Sequence, residues 1–161
     1  MDMMELRRGL LMRPRDSNLI NIDVPFQNPD NTGWSNASKR KFTPGTHCYG
    51  LAYSNYWGAG NVLNYSISNG ILSVTNKNVY GVAYAVELAP GAYSLTADQT
   101  NSGRASCAFY ASDGTYLSSQ VNVIGGEISV PNNAEITAII FYCTVSEGTS
   151  TFSNVVLKPV A

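Results

Sequence analysis

The sequence predicts an all-β chain, an antiparallel β-sandwich preceded by a short helix and an extended arm. Three observations carry that expectation. Charged residues make up 13% of the 161, against about a quarter in ordinary globular domains, while Gly, Ser, Thr, Asn and Tyr are abundant. Short apolar or alternating runs recur every 8–12 residues or so with turn-forming clusters between them, the rhythm of two packed antiparallel sheets. The first 36 or so residues lack that rhythm.

Taken in order, residues 1–12 place Met3, Leu6 and Leu10 at helical spacing, with Met4 and Leu11 widening the stripe and Arg7 and Arg8 on another side. A helix this short that contains Gly9 is marginal alone, so its apolar face needs a partner surface. From Arg13 to about Asn36 come Pro14, Pro25 and Pro29, several Asn and Asp, and one weak strand signal, "LINIDVPF". That stretch reads as an extended arm. Residues 1–36 are therefore expected to be a helix and docking arm, and residues 37–161 the β-sandwich domain.

In the body the strand candidates run "KRKFTPG", "HCYGLAYS", "NVLNYSIS", "ILSVTN", "VYGVAYAVEL", "AYSLTAD", "RASCAFYAS", "TYLSSQVNV", "GEISVP", "EITAIIFYCTV" and "TFSNVVLKPV". Turn signals separate them: "SNG" at 68–70, "NKN" at 76–78, "APG" at 89–91, "NSG" at 101–103, "SDG" at 112–114, "PNN" at 131–133 and "SEG" at 146–148. Tyr93 and Leu95 alternate with Ser94 and Thr96, and Tyr80, Val82, Tyr84 and Val86 share one side. "ITAIIFYCTV" is apolar on both faces, as a central strand should be.

Charge and cysteine content exclude several functions. Residues 1–41 carry seven Lys/Arg against five acids, and residues 42–161 carry three against six. Three scattered bases cannot neutralise a run of phosphates, so no nucleic-acid partner is expected. Cys48, Cys107 and Cys143 are odd in number and widely spaced, which speaks against a zinc site or disulfide framework. Cys107 and Cys143 sit in apolar runs, where cysteine packs as a small hydrophobe. "MDMMELRRGLLM" lacks the apolar core and small-residue cleavage site of a secretory leader. No stretch reaches the roughly 18 apolar residues of a membrane span.

No catalytic constellation emerges, and no enzyme is expected. His47, the single histidine, adjoins Cys48, but neighbouring strand residues point to opposite faces and cannot form a nucleophile pair; a surface or interface position is the expectation for it. The carboxylates Glu87, Asp98, Asp113, Glu127, Glu135 and Glu147 show no paired spacing. The aromatics are the richest feature: "GLAYSNYWGAG", residues 50–60, sets Tyr53, Tyr56 and Trp57 among Gly, Ser and Asn. Rings of this kind stack on sugars or fill protein interfaces. Tyr53, Tyr56 and Trp57, with Asn55 and Asn61 as hydrogen-bonding neighbours, are the candidate ligand site, and a sugar and a sister subunit both remain open as the contact. Tyr80, Tyr84, Tyr110 and Tyr142 lie inside strands and are expected to pack.

The order of signals from Val79 onward is specific. "YGVAYAVELAPGAYSLTADQT", "RASCAFYASDGTYLS", "GGEISVPNNAEITAIIFY" and "GTSTFSNVVLKP" together resemble the jelly-roll domains, related to carbohydrate-binding modules, that recur in tailed-phage tail, baseplate and fibre proteins. "MELRRGLLM" resembles the start of virion proteins from such phages. The resemblance implies a jelly roll in a virion structural protein made in the bacterial host cytoplasm, with tail-fibre or decoration roles. It implies partners among other virion proteins and copies of itself, trimers being favoured, and a host-surface glycan as a further contact. Met3, Leu6, Arg7, Arg8, Leu10 and Leu11 would dock the arm. The alternative is a lectin-like carbohydrate-binding module. Jelly rolls of this type often hold a structural calcium, and Asp98 is the candidate ligand here; no other cofactor is implied.

Overall fold

Turn chemistry decides where the chain reverses. The computed structural model describes residues 18–26, 42–49, 64–76, 81–144 and 148–160. Ten strands follow: β1 (His47–Tyr49), β2 (Asn64–Ser68), β3 (Ile71–Asn76), β4 (Val82–Val86), β5 (Gly91–Gln99), β6 (Arg104–Tyr110), β7 (Tyr116–Gln120), β8 (Gly126–Val130), β9 (Ile136–Tyr142) and β10 (Gly148–Pro159). Between β2 and β3, Asn69 (φ 53°) and Gly70 (φ 77°) both adopt left-handed backbone, the geometry whose twist suits a two-residue hairpin. Between β5 and β6, "NSG" puts Asn101 and Ser102 at φ 53° and 58°, and Gly103 N–H closes that turn on Thr100 O at 3.0 Å. The expected strand at "KRKFTPG" is not seen in its described part: residues 42–46 form a turn, with Gly45 at φ 80°. The expected helix over residues 1–12 lies outside the described residues.

Every strand pair is antiparallel. The first sheet has the order β1-β4-β9-β6-β7 and the second β2-β3-β10-β5-β8. Apart from the β2–β3 and β6–β7 hairpins, each successive strand lies in the opposite sheet, which is the winding of a jelly roll. β9, apolar on both faces, is the centre of the first sheet, as its composition predicts.

The two inner faces interdigitate. Val82, Tyr84 and Val86 of β4, Cys107 and Phe109 of β6 and Ile139 and Phe141 of β9 meet Leu72 and Val74 of β3, Leu95 of β5, Ile128 of β8 and Phe152 and Leu157 of β10. Phe141 and Phe152 meet across the sandwich with ring centroids 5.1 Å apart. Gly81 is required at the entry to β4, because a Cβ there would lie 1.8 Å from Phe141 O.

Residues 18–26, which the sequence places in the arm, lie along one end of this sandwich as a strap. Ile20 and Ile22 are buried in the main core, so the period-two run Ile20, Ile22, Val24, Phe26 faces its apolar side inward. Leu19 N–H donates to Leu157 O at 2.9 Å, and His47 N–H to Pro25 O at 2.9 Å. The strap thus ties β10 of the second sheet to β1 of the first, where Phe26 forms a parallel bridge with His47. Its anchor is Asn18: Oδ1 accepts from Ile20 N–H at 3.2 Å and Leu157 N–H at 2.9 Å, and Nδ2 donates to Val155 O at 2.8 Å. A second amide acts in the same way at the other edge of that sheet, where Gln120 Oε1 accepts from Ser129 N–H at 2.7 Å and Nε2 donates to Glu127 O at 3.2 Å. Side chains of this kind cover strand-edge groups that would otherwise recruit another chain.

Replacing Asn18 with Ala leaves Leu157 N–H and Val155 O without those partners. Denaturant titration should show a loss of about 2 kcal/mol, the penalty for part-buried polar groups left unsatisfied.

Candidate functional site

The ligand candidates Tyr53, Asn55, Tyr56, Trp57 and Asn61, and the docking candidates Met3, Leu6, Arg7, Arg8, Leu10 and Leu11, all lie outside the described residues. Of the strand tyrosines, Tyr84 and Tyr110 are buried and Tyr142 is half-buried, consistent with packing roles; Tyr80 lies outside the described residues. Cys48, Cys107 and Cys143 are all buried. Burial pushes the Cys107 thiol up to about 12, against a smaller lowering by a backbone hydrogen bond from Gln120.

The strap forms one wall of a concavity. It runs between Asn18, Asn21 and Asp23 on the strap, the β2–β3 turn at Asn69, and the β10 bulge at Ser153 and Asn154, and encloses about 480 Å³. The bulge exists because Asn154 is left-handed (φ 50°) and shifts the β10–β5 register between Ser153 and Val156. Asp23 carries the one charged side chain of the lining, and its carboxylate accepts from Gly70 N–H at 2.7 and 3.0 Å. Asp98, the calcium candidate, is exposed and accepts from Asn154 Nδ2 at 2.7 Å beside this concavity. Among the described residues no three His, Cys, Asp or Glu side chains cluster as a metal site. Apart from Asp23 and Ser153, the lining side chains are neutral amides over isoleucine and valine, chemistry suited to hydrogen-bonding a polar partner. A second hollow of about 370 Å³ contains Arg104, whose Nη1 donates to Asn122 Oδ1 at 3.4 Å.

The outward faces of the two sheets differ in kind. On the first, Ala85, Ala138 and Ala108 form one row across β4, β9 and β6. Cys48, Ala83 and Ile140 form the next row. These join Tyr110 and Ile136 in a second apolar cluster against which Phe42 packs, its ring 4.8 Å from that of Tyr110 and edge-on. β1, an edge strand of this sheet, ends at Tyr49, immediately before the aromatic stretch 50–60. On the second sheet the outward rows carry hydroxyls: Ser66, Ser73 and Thr151 in one, Thr75 and Thr149 in the next. Thr75 and Thr149 hydrogen-bond each other across the strands.

His47 is the correction to the sequence expectation. Instead of lying at a surface it is fully buried on the inner side of β1, its ring edge-on to Tyr84 at 5.3 Å, while Cys48 faces the outer cluster. Its Nε2 lies 2.9 Å from Ile22 O; a carbonyl only accepts, so Nε2 carries the proton. Nδ1 is then a lone pair with no partner among the described residues. The sequence carried one usable signal for this site, the period-two run in "LINIDVPF", but nothing that pairs it with His47, twenty-five residues from Ile22.

No family model matches the sequence, and no curated protein matches it. Several solved structures are similar at low identity. A chain from the structure of accessory secretory proteins 1, 2 and 3 of Streptococcus pneumoniae is 12% identical with a TM-score of 0.48, covering 65% of this chain and 94% of its own. A candidate sugar-binding protein from Bacteroides thetaiotaomicron is 10% identical with a TM-score of 0.47, covering 89% and 100%. The enzymatically active domain of tailspike protein 4 from bacteriophage CBA120 is 13% identical with a TM-score of 0.44, covering 62% of this chain and 18% of its own.

Burial holds the His47 pKa below its usual 6.5, against smaller opposing effects of the Ile22 carbonyl and the Asp23 charge. As pH falls through about 6.5 the unfolded chain takes up the proton and the native state does not, so stability should drop until the native-state pKa is reached and level off below it. Denaturation midpoints measured from pH 8 downward should show this fall in the wild type, and His47→Gln should remove the histidine's share of it.

Proposed function

We propose that this chain is a structural protein of a tailed-phage virion, in which residues 1–17 dock onto another virion component or a neighbouring copy and the jelly roll projects outward to decorate the particle. The observation that carries this reading is the strap. Residues 18–26 continue directly from the proposed docking segment and are bonded into both sheets, so a load on the segment is passed to the core and not to a loose linker. The ordered jelly-roll motifs from Val79 onward and the "MELRRGLLM" leader support the same setting. Assembly is with other virion proteins and with copies of the chain itself, as a trimer, without nucleic acid and without catalysis.

The strap also sets where the arm can be cut. Deleting residues 2–15 should leave a soluble, folded sandwich and abolish incorporation into particles, read by mass spectrometry of purified virions; unchanged incorporation would sink the docking role. A deletion that runs on through residue 26 should lose the fold as well, since it removes Ile20, Ile22 and the Asn18 anchor.

A second reading, carbohydrate binding, is favoured by one feature: β1 brings the chain to the edge of the small-residue outer face just where Tyr53, Asn55, Tyr56, Trp57 and Asn61 follow in sequence. Trp57→Ala should then weaken binding on a glycan array by about fivefold or more, an aromatic stack being worth on the order of 1 kcal/mol. Loss of self-association without any change on the array would assign the ring to a subunit interface.

A further inference from the structure

We propose that His47 is an acid-released latch that holds the strap, residues 18–26, against the first sheet. Three hydrogen bonds between the strap and the first sheet gather around His47. Nε2–H of His47 donates to Ile22 O at 2.9 Å, His47 N–H donates to Pro25 O at 2.9 Å, and Asn21 N–H donates to the Tyr84 hydroxyl at 3.2 Å. Two of the three belong to His47, and the third reaches the ring that meets its imidazole edge-on.

The latch is sound only while the imidazole is neutral. The ring is fully buried, and Nδ1 has no partner among the described residues. A proton added at Nδ1 would create a buried cation with an unsatisfied donor, a state that burial disfavours strongly. Among the described residues, the ionisable groups set against the ring are Asp23 on the strap, whose negative charge favours the cation, and Tyr84 on β4. The Asp23 carboxylate is already engaged by Gly70 N–H. The route by which Nδ1–H gains a partner is therefore movement of the strap, which admits water to the ring. Histidine is the side chain whose ordinary titration falls in this range. Release at this end would free residues 20–26 from the first sheet, while Asn18 and Leu19 stay bonded to β10.

The test is native-state hydrogen exchange on the full-length chain between pH 7.5 and 4.5, read residue by residue. The Asn21 amide, bonded to the Tyr84 hydroxyl, and the His47 amide, bonded to Pro25 O, should lose protection by about tenfold per pH unit below about 6.5, through an opening less sensitive to denaturant than that of the β9 amides, and the loss should reverse on return to pH 7.5. In His47→Gln, protection of the Asn21 amide should be independent of pH across the range. Constant protection of both amides in the wild type, or exchange with the same denaturant dependence as β9, overturns the latch; these two wild-type outcomes decide the matter even if His47→Gln does not fold.

Discussion

One strand in this sandwich cannot complete its own ladder. β10 runs from Gly148 to Pro159, but its pairing with β3 stops at Phe152 opposite Leu72. Beyond that point the edge facing away from β5 needs hydrogen-bond partners, and buried backbone groups rarely go without them. Asn18 and Leu19 supply them: the Asn18 amide stands in for a stretch of strand at Val155 and Leu157, and Leu19 adds a main-chain bond to Leu157 O. The β10 bulge at Asn154 is formed at the same place. Once the chain is fixed beside β10, its route to β1 crosses the open end of the sandwich, and Ile20 and Ile22 fill the space between the sheets.

That crossing explains the distribution of polar groups around it. The concavity beside the strap is lined by amides because asparagine is the residue that turns, caps and bulges each call for: Asn69 and Asn154 tolerate left-handed backbone, Asn21 Oδ1 caps Asp23 N–H, and Asn18 bonds β10. A polar hollow therefore arises from local backbone demands, before any ligand is considered. The outer face of the first sheet has a different origin. Its alanines are buried in a second apolar cluster with Tyr110, against which Phe42 packs. The aromatic stretch, residues 50–60, follows β1 directly in sequence.

Much of the fold was legible in the sequence because it rests on local rules. Period-two alternation gave the inward set of β4 and β5, the doubly apolar run gave β9 as a centre, and "SNG", "NSG" and "SDG" marked reversals that the backbone confirms at Asn69, Asn101 and Gly114. The strap was not legible for a physical reason. Its pairing partners are more than a hundred residues away at Val155 and Leu157, and its prolines and Asn/Asp residues match the composition of a linker. "KRKFTPG" failed in the opposite sense, since "TPG" is a turn and not a strand, with Thr46 Oγ1 donating to Thr43 O at 2.7 Å across it. For the ligand candidates, composition gave residues but not an arrangement.

His47 shows what a polar core residue can do that an apolar one cannot. A phenylalanine in its place would fill the space beside Tyr84, but it would leave Ile22 O without the bond from Nε2, and an orphaned carbonyl in the core costs on the order of 1–3 kcal/mol. The imidazole satisfies that carbonyl and leaves Nδ1 as the unmatched atom. A neutral acceptor lone pair without a partner is a smaller defect than a buried cation would be. The histidine is therefore the better choice while it is neutral and a poor one when charged, so the seating of residues 20–26 on the first sheet depends on a single protonation state, while Asn18 and Leu19 hold the start of the strap to β10.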